Sequence, residues 1–252
     1  MQGLAMDGRF GVAAAIRRRL AWPHPEWWAL ALSAAAWLVI VATALFTAAS
    51  GDSHHASLSH SINLTTSLKN WLLMTVAMMF PLSIGAIQAT AHRSLWRRRH
   101  RAIAGWLVGY LAVWLLVGVT LWLISTLLLT RPMLASRSVV AIAFLLAASW
   151  QVAPTRARAL ARCHHTQPIA PAGWRADYDC VRYGWTMGVW CSMTCGALMV
   201  ACWLVGHGPP GVIAMAFATL IGFTERYVAR PDPRWLAASI VVMAMIVVSV
   251  SW

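Results

Sequence analysis

About seven long apolar runs, joined by connections of which every second one is rich in arginine, constrain this chain more than any other feature. The runs lie near residues 27–49, 70–91, 102–129, 138–153, 183–205, 211–227 and 235–252. The arginines concentrate in the amino-terminal tail and in 92–101, 155–182 and 226–234. Basic connections stay on the cytoplasmic face of a membrane. The pattern predicts an all-α, polytopic transmembrane helix bundle with a cytoplasmic amino terminus. Residues 1–26 read as a basic cytoplasmic tail, and 27–252 as a single transmembrane helical domain. The run at 27–49 is longer than a signal-peptide core, so it is expected to stay as a span.

Composition points the same way. The 252 residues are 60% hydrophobic and only 11% charged, against about 25% charged in a soluble domain. The net charge of +13 is almost all arginine, Lys69 being the only lysine. In a soluble protein that charge would raise nucleic-acid binding. Here the arginines sit between apolar runs and no nucleic-acid module is present, so no nucleic-acid partner is expected. The lipid bilayer is the expected surrounding, with anionic headgroups against 92–101. Five cysteines do not make a disulfide framework.

The chemistry concentrates in YGWTMGVWCSMTCGALMVACWLVG, residues 183–206. On a helix, Cys191, Cys195 and Cys202 fall within roughly 40° of one another. Gly184 and Gly188 share that face, with Met187 and Met199 beside it. Such a face is either a metal or redox site or a close-packing seam. The run 70–91 carries a second stripe: Asn70, Met74, Met78, Pro81, Gln88 and His92. Pro81 cannot donate to the carbonyl of Ala77, which loosens the helix beside Met78. A freed carbonyl must face protein, water or a ligand, so this stripe should point inward. Its methionines are either core fillers or soft ligands.

Weaker ligand groups lie in the connections. His54, His55 and His60, with Asp52, form an outward loop whose imidazoles suit copper or zinc, or which is simply solvated. Cys163, His164 and His165, with the distant Cys180, offer zinc-type donors at no standard spacing. Glu225 falls near an inner helix end, where it either serves function or pairs with an arginine. Gly105 and Gly109 make a small-residue packing pair. The chain has no nucleophile elbow, phosphate loop or dinucleotide fingerprint, so catalysis by this chain alone is not expected.

Several of these segments together resemble a bacterial family of predicted metal-binding integral membrane proteins of unknown function. The resemblance covers residues 70–228 and rests on Trp71-x-x-Met74-x-x-Ala77-Met78-Met79-x-Pro81, on Gln151 with Pro154, on Cys163, on Gly188-x-x-Cys191-x-x-x-Cys195-x-x-x-Met199 and on Glu225-Arg226. Thr194 stands where members often carry the first of two adjacent cysteines, and Gly196 where they carry a tryptophan. The resemblance implies a multi-pass protein of the bacterial inner membrane that binds metal. Thiolates and thioethers suit copper in its reduced state. The expected ligands of a copper ion are Cys191 and Cys195, with Met74, Met78, Met199 and Cys202 behind them. The other expectation is a non-catalytic accessory subunit whose Gly/Cys face packs against other membrane protein subunits.

Overall fold

A computed structural model describes residues 26–49, 63–127, 136–163, 165–227 and 232–250. Among the described residues the fold is all-helical. The helices are α1 (Trp27–Ala49), α2 (Leu64–Leu82), α3 (Ile84–Arg93), α4 (Arg99–Leu127), α5 (Arg137–Gln151), α6 (Pro154–Cys163), α7 (Gly173–Val205), α8 (Pro209–Tyr227) and α9 (Pro233–Val250). Local chemistry sets many of the boundaries. Asn63 caps α2 by accepting from the Thr65 amide at 3.0 Å, and Ser136 caps α5 by accepting from Val139. Proline opens α6, α8 and α9, where a missing N–H removes nothing from the helix.

Two of the expected spans are bent. The run 70–91 breaks at Ser83, and α2 and α3 meet at 70°. Pro81 has no amide to give Ala77. The freed Ala77 carbonyl instead accepts from Ser33 Oγ at 2.8 Å and Trp37 Nε1 at 2.9 Å, both on α1. The second bend, 74° between α5 and α6, falls just before Pro154, where the preceding residue is pushed out of helical geometry.

Length and composition alone mark fewer spans than the sequence predicts. The sequence predicts about seven spans. Among the described residues, three helices are long and apolar enough to cross a membrane, namely α1, α4 and α7, or five if each bent pair counts as one. The difference lies in α8, which carries prolines at one end and Glu225-Arg226 at the other, and in α9, which is apolar but short.

Helix α7 is the centre of the bundle, packing on α4, α5, α6 and α8. Its closest partner is α4, and the two glycine pairs expected from the sequence meet each other there. A Cβ on Gly184 would stand 1.9 Å from the Trp106 carbonyl oxygen, and one on Gly109 would stand 2.0 Å from that of Val181. No side chain larger than hydrogen fits between these backbones. Helix α2 is held to α4 by Trp71, whose indole donates to the Trp114 carbonyl at 2.7 Å while its ring lies on Gly118.

The arginines gather at one end of the bundle. Arg98 and Arg101 both pair with Asp177, at 2.6 and 2.7 Å. Arg93 holds the 165–172 connection through Thr166 and the Gln167 carbonyl. At the opposite end, Gly206 ends α7 with a left-handed φ of 85°, and α8 starts three residues later.

Candidate metal centre

The sulfur-rich face of α7 turns into the bundle. All five cysteines, every one within the described residues, are free and buried. Cys191 is fully enclosed, and three partners converge on its sulfur. Tyr110 donates its hydroxyl to Cys191 Sγ at 3.1 Å. Arg226 donates from Nη2 at 3.2 Å. The Cys191 thiol in turn points at Met79 Sδ, 3.9 Å away. The same Arg226 nitrogen lies 3.9 Å from Cys195 Sγ, and the Thr194 hydroxyl lies 3.6 Å from that sulfur.

Each partner is delivered by a different element. Tyr110 stands in a buried aromatic column on α4, stacked on Trp106 with ring centroids 4.9 Å apart and leaning toward Trp114. A buried phenol seeks a partner for its hydroxyl, and Cys191 supplies it. Met79 comes from the last turn of α2 before the Pro81 break. Arg226 comes from the last turn of α8. Its other terminal nitrogen, Nη1, donates to the Leu82 carbonyl at 2.6 Å, at the C-terminal end of α2 where no further helical donor follows.

Beside these sulfurs is a cavity of about 10 Å³, lined by Met78, Met79, Cys195, Met199, Thr194 and Glu225 among others. That is room for about one water molecule or one ion. Its charged wall is neutralised. Glu225 and Arg156 pair at 2.5 Å with both side chains 5% exposed. Gln151 donates to the other carboxylate oxygen, and Arg156 Nε reaches the Thr194 carbonyl at 3.1 Å. Removing one member of so buried a pair costs about 3–5 kcal/mol, so this network fixes α5, α6, α7 and α8 around the cavity.

The structure sorts the candidates from the sequence. Cys195, Met78 and Met199 line the small cavity, and Cys191 lies beside it through Met79 and Arg226. Met74 and Cys202 are fully buried but do not line it. Cys163 points inward, 4.0 Å from the Thr194 hydroxyl, while His165 is exposed. His54, His55, His60 and His164 lie outside the described residues. Among the described residues, no three His, Cys, Asp or Glu side chains gather to hold an ion. Any centre here depends on methionine as well as cysteine.

Residues 68–251 match the family model PpoB2, described as copper chaperone. The chain belongs to that family. The match contains the whole stretch, 70–228, that carries the motif resemblance, and its description names copper. No curated protein and no solved structure matches the chain.

Sequence reasoning gave no site role to Met79, Tyr110 or Arg226, although Met79 and Arg226 stand in the motifs that carry the resemblance. Met79 stood next to Met78 but off its stripe. Arg226 was counted as a marker of the basic side. Tyr110 carried one usable signal, a lone phenol within a long apolar run that needs a buried acceptor.

A second, larger cavity of about 780 Å³ lies between α1 and α2. Leu32, Val39, Leu72 and Val76 line it, with Lys69, Asn70 and His207 at one end, and no sulfur faces it. Burial pushes the His207 imidazole below its usual pKa, against a hydrogen bond to the Asn70 backbone that raises it.

Proposed function

We propose that this chain is an integral membrane protein that binds reduced copper between α7 and α2 and passes it on to an acceptor protein. One observation carries the reading. Soft sulfur donors from two helices, Cys195 with Met78, Met79 and Met199, line space for a single ion, and Cys191 stands beside it, 3.9 Å from Met79. Thiolate and thioether donors select copper in its lower oxidation state, whereas carboxylate and water would suit harder ions. Membership of a family described as copper chaperone supports the same metal. Cys191 and Cys195 serve as the main ligands. Met78, Met79 and Met199 complete the set as weak, exchangeable thioethers, which suits a protein that must release its cargo.

The chain adopts seven crossings in the bacterial inner membrane, with the arginine-rich end cytoplasmic. Supporting this, α8 starts beside the end of α7 and its last turn reaches Leu82 and Cys191, so its 19 residues run alongside the apolar half of α7. The glycine seam does not favour a separate role as a structural subunit, because α4 fills it from within the chain.

The test is anaerobic titration of the purified full chain in native lipid with copper(I) against a competing chelator. Wild type takes up a single ion. The double variant Cys191→Ser/Cys195→Ser takes up none. Equal uptake by both proteins would sink the reading.

A further inference from the structure

The Arg226 guanidinium already holds the two sulfurs that a metal ion would take. Its Nη2 is 3.2 Å from Cys191 Sγ and 3.9 Å from Cys195 Sγ. An ion bonded to both sulfurs at about 2.3 Å, the usual metal–thiolate distance, would compete with that nitrogen for the same two atoms. Two cations so close repel strongly in a low-dielectric surround. We propose that Arg226 is a displaceable counter-cation: it occupies the thiol site in the metal-free protein and leaves when the ion enters. This rests on the copper reading above and adds how that site is kept and opened.

Copper(I) bonds thiolates, so each ligand thiol gives up its proton to water as the ion binds. Arg226 carries one positive charge away from the sulfurs as copper(I) brings one, and Glu225 stays paired with Arg156 throughout. The thioethers beside the thiolates favour the soft monovalent ions copper(I) and silver(I) over zinc.

The geometry also supplies a way out for the arginine. Arg226 lies in the last turn of α8, next to the end of the helix, and is partly exposed. Its remaining bond is to the Leu82 carbonyl, at the 70° break between α2 and α3. Swinging outward breaks that bond and the two sulfur contacts. The arginine-rich end is then the end through which the ion reaches Cys191.

The experiment compares Arg226→Gln and Arg226→Lys with wild type in full-length protein in lipid, titrated with copper(I) and with silver(I). A site blocked by its own cation binds with an affinity reduced by the fraction of open state. Removing the charge in Arg226→Gln should tighten binding about tenfold or more, while Arg226→Lys, which keeps the charge, stays near wild type. Uptake by Arg226→Gln with none by wild type supports the same blockade. Unchanged or weaker binding by Arg226→Gln overturns it, and if wild type binds normally the copper reading survives. No uptake by any of the three overturns both.

A second readout needs no variant. Phenylglyoxal modification of Arg226, followed by mass spectrometry, should be several-fold faster in copper(I)-loaded wild type than in metal-free protein. Equal rates mean that the guanidinium never leaves.

Discussion

The Ala77 carbonyl shows how a single residue change spreads through this structure. Pro81 removes its helical donor, and α1 repairs the loss with two donors, Ser33 Oγ and Trp37 Nε1. A carbonyl has two lone pairs, so both bonds form at once. Losing either one alone should cost no more than about 1 kcal/mol, because the other still satisfies the oxygen. Losing both leaves a buried acceptor bare, at about 1–3 kcal/mol in total. Thermal unfolding of Ser33→Ala, Trp37→Phe and the double variant in detergent checks this. The double should lose more than the sum of the singles. Strict additivity would mean that the carbonyl finds another partner. The need for such a partner was legible in the sequence, since Pro81 implies it. Its identity was not, because Ser33 and Trp37 reach Ala77 only through tertiary packing.

At the scale of the helix, α7 joins two jobs that the sequence left as alternatives. Its glycines form the seam and its cysteines form the candidate centre, one turn further on. The same close approach to α4 sets Tyr110 beside Cys191. This gives a paired test on one helix. Gly184 touches the Trp106 backbone, whereas a Cβ on Gly196 would meet nothing within 4 Å. Gly184→Ala must push α4 and α7 apart, should destabilise the protein and should weaken metal uptake by moving Tyr110. Gly196→Ala should be neutral or stabilise by about 0.5–1 kcal/mol, from lower backbone entropy alone. Melting temperatures and copper(I) titrations of both variants provide the measurement. Equal behaviour would show that the seam is loose. Periodicity exposed this face because spacing along one helix is a local property. It could not show which partner each residue meets. Met79 and Arg226 arrive from helices 112 and 35 positions away in the chain from Cys191.

For the whole molecule, the open question is how the bent pairs relate to a membrane. Helix α5 has 15 residues, about 22 Å at 1.5 Å per residue. The hydrocarbon core is about 30 Å thick, so α5 alone falls short and needs α6 to finish a crossing. Helix α6 turns away by 74° and carries Arg156, Arg158 and Arg162. Of these, Arg156 is buried against Glu225, while Arg158 and Arg162 are exposed. That division suits a helix at the inner interface, with the buried arginine turned into the bundle and the exposed ones toward headgroups. Ser138 near the start of α5 and His165 just beyond α6 are both exposed, and they bracket the pair. All native cysteines are buried, so a cysteine introduced at either position can be read against a silent background. An impermeant maleimide added to intact cells should label Ser138→Cys and not His165→Cys, and both should react once the membrane is opened. Labelling of both from outside would mean that α5 and α6 form a re-entrant hairpin instead of a crossing. The reverse pattern would turn the protein over, put the arginine-rich end outside and have Arg226 guard the opposite entrance.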